Sequence, residues 1–243
     1  MTALLSVRGV GKRFGGLTAL ADVSFDVEPG ELVGLMGANG AGKTTLFSLI
    51  AGNARPSSGD IRYDGQSILG LRADQVCRLG IGRTYQIVKP FPALSVLDNV
   101  RTAALFGKAQ ARTAGEADAL VRPVLDELGL AGVADQPAAN LTLSAQKRLE
   151  IARAVATGAR LVLLDEVMAG LTPTEVAAML ATLRRLRAER GLTLLVIEHV
   201  MRALMDLCGR IVVLHHGQLL AEGTPAEIGA HPQVLAAYFG TPG

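Results

Sequence analysis

The stretch Gly37-Ala-Asn-Gly-Ala-Gly-Lys-Thr44 follows the apolar run Glu31-Leu-Val-Gly-Leu-Met36 and precedes Thr45-Leu-Phe-Ser-Leu-Ile-Ala51. Its spacing is G-x-x-x-x-G-K-[ST], the pattern of a phosphate-binding loop set between a buried strand and a helix. Gly37, Gly40 and Gly42 let backbone N–H groups close around phosphates with no side chain in the way. Asn39 and Ala41 lie between them. The helix opening at Lys43, Thr44 and Thr45 brings the positive end of its dipole to the same place. Lys43 is suited to the β- and γ-phosphates, and the Thr44 hydroxyl to Mg²⁺. An ordinary glycine-rich turn has no reason to carry Lys-Thr at that offset. These eight positions, Gly37, Asn39, Gly40, Ala41, Gly42, Lys43, Thr44 and Thr45, are the expected nucleotide contacts.

Composition narrows the class. The 243 residues allow one large domain, or one domain with a subdomain. Apolar residues make up 49% of the chain and mean hydropathy is +0.34. Yet the longest apolar runs, such as Leu161–Leu164 and Leu192–Ile197, fall far short of the roughly 18 residues a membrane helix needs. The apolar content therefore suits parallel strands covered on both faces. The N-terminal residues lack a basic region and a long apolar region, so no signal peptide is expected. A net charge of +2, the absence of Trp and 4% aromatic residues give no basis for a nucleic-acid partner. Cys77 and Cys208 are expected as reduced thiols rather than a disulfide.

The order of elements follows from local patterns. Leu5–Val10 and Leu20–Val27 read as strands, the second closed by the turn Glu28-Pro-Gly30. Residues 59–65 read as a short edge strand, Arg72–Leu79 as a short helix and Ile81–Tyr85 as a strand. From Ser95 to about Gly158 the pattern is helical, opened by Ser95 with Asp98 three residues on, as at a helix N-cap. Strand–helix alternation then returns: strands at 161–165, 192–197 and 210–214, helices at 173–190 and 200–207. Such alternation argues a parallel sheet with crossover helices. The expected fold is α/β, a phosphate-loop core of mainly parallel sheet, with an N-terminal antiparallel β subdomain and a helical insert. The core would comprise residues 1–94 and 159–243, and the insert residues 95–158. His215-His216 before Gly217 is read as a solvated hairpin end rather than a metal site. Arg184, Arg185, Arg187 and Arg190 are read as the wet face and last turn of a helix.

Arg160-Leu-Val-Leu-Leu-Asp-Glu166 is an apolar strand ending in two carboxylates. In phosphate-loop hydrolases this position brings an acid beside Mg²⁺. Asp165 is the expected metal-side acid, acting through a water. Glu166 is the expected general base, polarising the water that attacks the γ-phosphate.

With these residues in place the chain resembles the nucleotide-binding subunit of an ABC transporter, over nearly its whole length. The resemblance implies ATP and Mg²⁺ as ligands. It implies that Phe14 stacks on adenine. It implies that Gln86, in Arg83-Thr-Tyr-Gln-Ile87, touches Mg²⁺ and the attacking water and senses the membrane partner. His199, after the strand 194–197, matches the histidine that contacts the γ-phosphate. Catalysis is thus expected of Glu166, His199 and Gln86, and metal binding of Thr44, Gln86 and Asp165.

One motif departs from the family. Its signature is Leu-Ser-Gly-Gly-Gln at a helix start, and this chain reads Asn140-Leu-Thr-Leu-Ser-Ala-Gln-Lys-Arg-Leu-Glu150. Spacing from Asp165 and the fit of Arg148-Leu-Glu-Ile-Ala-Arg153 place the signature at Leu141, Thr142, Leu143, Ser144 and Ala145. The competing register, 143–147, would rotate the helix by about 200° against its apolar face. In the favoured register Thr142 keeps the hydroxyl, but both glycines and the glutamine are lost. Position 172 also departs, with Thr where Asp or Asn is usual, and Val167 stands where Pro is usual. In the family, ATP lies between two subunits, the phosphate loop from one and the signature from the other. A weak signature here therefore weakens the site on the partner's loop. The expected assembly is a heterodimer with a second ATPase subunit, a homodimer being the alternative.

The stretch Gly80–Phe91, the segment 222–228 and Ala237-Tyr-Phe-Gly240 resemble ATPases of branched-chain amino-acid importers, with urea and amide importers close by. That resemblance implies two membrane permease subunits, an indirect periplasmic solute-binding protein, and peripheral attachment at the cytoplasmic face of the inner membrane. The alternatives are an ATPase of the lipopolysaccharide-export type or a weakly active regulatory subunit. A soluble ABC ATPase of DNA repair or translation would carry a second such domain, a coiled-coil insert or a basic patch, and none is visible.

Overall fold

The computed structural model describes residues 3–85, 90–199 and 201–239. In chain order the strands and helices are β1 (Leu5–Phe14), β2 (Leu17–Val27), β3 (Leu32–Met36), α1 (Lys43–Ile50), β4 (Ser58–Tyr63), β5 (Gln66–Ser67), α2 (Ala73–Leu79), β6 (Ile81–Arg83), α3 (Val96–Phe106), α4 (Ala114–Glu127), α5 (Leu143–Ala156), β7 (Leu161–Asp165), α6 (Pro173–Arg190), β8 (Thr193–Ile197), α7 (Met201–Leu207), β9 (Arg210–His215), β10 (Gln218–Gly223), α8 (Pro225–Ala230) and α9 (Pro232–Phe239). The chain divides into two compact units, residues 1–73 with 193–243, and residues 74–192.

The first unit holds an antiparallel sheet in the order β2-β1-β4-β5. A two-glycine turn joins β1 to β2, with Phe14 opposite Leu17 and Gly15 at φ +56°. The segment expected as an edge strand lies inside this sheet: β4 pairs with β1 on one side and with the two-residue β5 on the other. Asp64 and Gly65 both have positive φ between β4 and β5, the conformation a two-residue type I′ hairpin requires. In the same unit β3 lies between β8 and β9, parallel to both, and β10 returns antiparallel to β9. Every residue of β3 and β8 is buried, so neither strand alternates and each reads as a continuous apolar run. His216 and Gly217 repeat the type I′ turn between β9 and β10, so the histidine pair is the tip of a hairpin, as expected. Arg210 forks onto both Glu31 oxygens at 2.6 Å and donates to the Asp26 carbonyl at 2.7 Å. It thereby ties the start of β9 to the β2–β3 turn.

In the second unit β6 and β7 pair in parallel, with Ile81 opposite Leu161. Residues 95–158 carry α3, α4, α5 and two 3₁₀ turns. Ser95 caps α3, its hydroxyl accepting the Asp98 N–H at 3.0 Å. Asn99 is fully buried and clamps Phe91 from both sides: its amide donates to the Phe91 carbonyl at 3.0 Å and its oxygen accepts the Phe91 N–H at 2.8 Å. The arginines of α6 do more than face water. Arg190 forks onto Glu127 at 2.6 and 2.7 Å, and Arg185 donates to the Glu127 carbonyl, so two of the four anchor α6 to the end of α4. Among the described residues no helix is long and apolar enough to cross a membrane.

Candidate nucleotide site

In the first unit the phosphate loop is shaped by steric necessity. A Cβ on Gly42, at φ +101°, would lie 2.6 Å from Leu20 Cδ2 and 2.7 Å from the Ala19 carbonyl. A Cβ on Gly37 would lie 2.5 Å from the Leu214 carbonyl. Asn39 and Gly40 are exposed at the loop tip, while Ala41 is buried beneath it, its N–H on the Ala38 carbonyl and its own carbonyl accepting from Gly217. Lys43 is 5% exposed and curls back over the loop, donating to the carbonyls of Gly37 at 2.6 Å and Ala38 at 3.1 Å. No side chain caps α1, whose N-cap is Gly42, so no N-cap hydroxyl takes up its first N–H groups. Thr44 is exposed and Thr45 half-buried. Phe14 is 52% exposed at the tip of the β1–β2 hairpin, with the Lys12 ammonium 4.8 Å from its ring centre. An aromatic so exposed is not core. His199 is exposed directly after β8, next to Glu198, which is buried.

In the second unit β7 delivers Asp165 and Glu166, both buried. Arg83 reaches Asp165 Oδ2 at 3.0 Å, and the two side chains are 8% and 2% exposed. The Asp165 N–H donates to the Thr84 hydroxyl at 3.0 Å. Burial pushes the Asp165 carboxyl above its usual range, and the Arg83 guanidinium pulls against that rise. Asp165 Oδ1 is buried with no hydrogen-bond partner. Such an orphaned acceptor fits a water on a divalent cation. Glu166 adopts φ +53°, the left-handed region that non-glycine residues rarely enter. Lys147, 5% exposed, donates to the Glu166 carbonyl at 2.9 Å. Gln86 lies outside the described residues.

The segment expected as the signature, residues 141–145, sits at a helix start. Thr142 is the N-cap of α5, its hydroxyl accepting the Ala145 N–H at 3.3 Å. Leu141 and Ala145 are buried, Leu143 is 46% exposed, and Ser144 is half-buried. A Cβ on Gly170 would come within 3.0 Å of Leu143 Cδ2, so the leucine lies against the segment that follows β7. Thr172 is itself the N-cap of α6 in a full capping box with Glu175, which gives that residue a local reason to be Thr.

Arg83, Thr84 and Lys147 are the residues that reading the chain did not single out. Lys147 carried a signal: it is a cation within a helix whose neighbours at 145, 149 and 151 are all apolar and buried.

The ABC transporter family profile matches residues 20–169, and a profile described as branched-chain amino acid ATP-binding cassette transporter matches residues 218–243. The chain is 39% identical over 249 residues to the high-affinity branched-chain amino acid transport ATP-binding protein BraF of Pseudomonas aeruginosa, covering 98% of both. The values are the same for LivG of Escherichia coli K12. It is 35% identical to the lipopolysaccharide export system ATP-binding protein LptB of Acidithiobacillus ferridurans, covering 99% and 98%. Among solved structures, the ADP conformation of the ATP-binding cassette MJ1267 matches with a TM-score of 0.89 at 26% identity, over 99% of this chain and 100% of that one. A dimeric post-hydrolysis state of the cassette MJ0796, bound to ADP and Pi, matches with a TM-score of 0.81 at 25% identity, over 91% and 98%. With a phosphate loop, a strand ending in two acids and these end-to-end matches, the chain belongs to the ABC transporter family as an ATP-binding subunit that hydrolyses ATP.

Proposed function

We propose that this subunit energises the import of branched-chain amino acids or related small polar solutes. It would act from the cytoplasmic face of the membrane with two permeases, a second ATPase subunit and, indirectly, a periplasmic solute-binding protein. The observation that carries this reading is the 39% identity to BraF and LivG along the whole chain, together with the branched-chain profile at residues 218–243. The test is reconstitution with candidate permeases in liposomes and ATP-driven uptake of labelled leucine. Transport of lipopolysaccharide instead of solute would replace this reading with the export one, which the LptB identity keeps as the second reading.

In this reading the loop N–H groups and Lys43 bind the phosphates, and Phe14 stacks on adenine. Thr44, Asp165 and Gln86 would hold Mg²⁺, which when bound would neutralise charge on the phosphates. Glu166 accepts the proton of the attacking water, and His199 contacts the γ-phosphate. The division into a core of residues 1–94 and 159–243 and a helical insert of residues 95–158 belongs to the same reading. General-base catalysis is worth about 10²- to 10⁴-fold. Glu166→Gln is therefore expected to lose that much turnover while retaining ATP. The signature at 141–145 is expected to serve the partner's nucleotide poorly, because Leu143 and Ser144 put side chains where backbone must approach phosphate. A heterodimer with one strong and one weak site follows. Glu166→Gln here and the equivalent change in the partner should then cost unequal amounts of hydrolysis, and equal losses would argue for two matched sites.

A further inference from the structure

Lys147 has no part in the chemistry proposed for Glu166, His199 and Gln86. Its side chain is 5% exposed, and its Nζ lies 2.9 Å from the carbonyl oxygen of Glu166. Burying an ammonium costs several kcal/mol unless the surroundings answer it, and a neutral amide would satisfy a carbonyl as well. What distinguishes this carbonyl is the residue that owns it. Glu166 is the point where the chain leaves β7, and it does so at φ +53°. A left-handed conformation at a non-glycine residue is held only where the surroundings over-determine it. The Glu166 carbonyl also accepts the Ala169 N–H, but at 3.3 Å, so the lysine is the shorter of these two contacts. Lys147 stands on α5, the helix that Thr142 caps, so the lysine joins the signature helix to the turn that carries the acid.

We propose that Lys147 is a positioning residue for Glu166. Its ammonium holds the Glu166 carbonyl, locks the left-handed turn after β7, and so sets the direction in which the carboxylate leaves the backbone. The inference rests on the reading of Glu166 as general base.

The test uses the purified full chain with ATP and Mg²⁺, read by release of labelled phosphate and by binding of a fluorescent ATP analogue. Lys147→Met should lower kcat by about 10- to 100-fold, a fraction of the general-base effect, with KM and analogue affinity within about twofold of the parent. Lys147→Arg, which restores a long cationic donor, should recover most of the rate. In the Glu166→Gln background Lys147→Met should lower the residual rate no further, because the lysine acts only through the glutamate. A multiplicative loss in that background overturns the proposal, as does a parental kcat in Lys147→Met. If Lys147→Met does not fold, Lys147→Leu, which likewise removes the donor in a similar volume, takes its place under the same criteria. Glu166→Gln turning over at the parental rate removes the base assignment itself, whereas a silent Glu166→Gln beside a fully active Lys147→Met removes only the role of the lysine.

Discussion

At the scale of single residues the phosphate loop shows two demands met by the same atoms. Lys43 donates to the carbonyls of Gly37 and Ala38, which sets its ammonium at the loop that binds phosphate. Replacing Lys43 with Ala should therefore abolish nucleotide-dependent hydrolysis and weaken ATP binding at least tenfold in a fluorescence titration. Gly42 is under a different constraint, since a methyl there meets both Leu20 and the Ala19 carbonyl below 3 Å at a φ that L residues avoid. Gly42→Ala should cost about 1–3 kcal/mol in chemical denaturation, with nucleotide binding lost alongside. Cys208 gives a third expectation. Burial pushes its thiol up to about 12, so it stays protonated. It should react with thiol reagents at pH 8 only after unfolding.

At the scale of elements, the pairing of β6 with β7 carries a buried ion pair, Arg83 with Asp165. Removing one partner leaves a buried charge uncompensated, so Arg83→Met should destabilise the protein by about 3–5 kcal/mol, measured by urea unfolding. The α3–α4 contact rests on Arg101, which binds Asp98 at 2.5 Å and also Asp118. The Ser95 hydroxyl and then Arg101 hold the Asp98 carboxyl below its usual range, and Arg101 does the same for Asp118. A depressed folded value means that the stabilisation is present above the unfolded pKa, near 4, and is lost as pH falls through the folded values. Amide exchange in α3 and α4 should accelerate below about pH 4 ahead of the buried strands. The order of these elements was legible because each type announces itself locally. The alternation at 161–214 and the N-cap at Ser95 need only near neighbours. Element ends were less legible: β1 runs on to Phe14 and β2 begins at Leu17, because the hairpin between them pairs backbone irrespective of side chain.

At the scale of the whole molecule, the matches to dimeric cassettes make assembly the natural question. Restoring the family signature with Leu143→Gly, Ser144→Gly and Ala145→Gln should raise hydrolysis by the assembled transporter several-fold if this segment limits the partner's site. An unchanged rate would show that the limiting step lies elsewhere. The phosphate loop, the acid pair and the hairpin histidines could all be read along the chain. Each depends on the order of a few residues and on the geometry that glycine, or a strand's end, imposes on them. Arg83 against Asp165 and Lys147 against Glu166 could not. Their partners lie far off in sequence, and although apolar helix neighbours mark Lys147 as a buried cation, only the fold shows which group its ammonium meets. Local chemistry names the groups that can bind and cut a phosphate, whereas long-range packing chooses the charges that hold them in place.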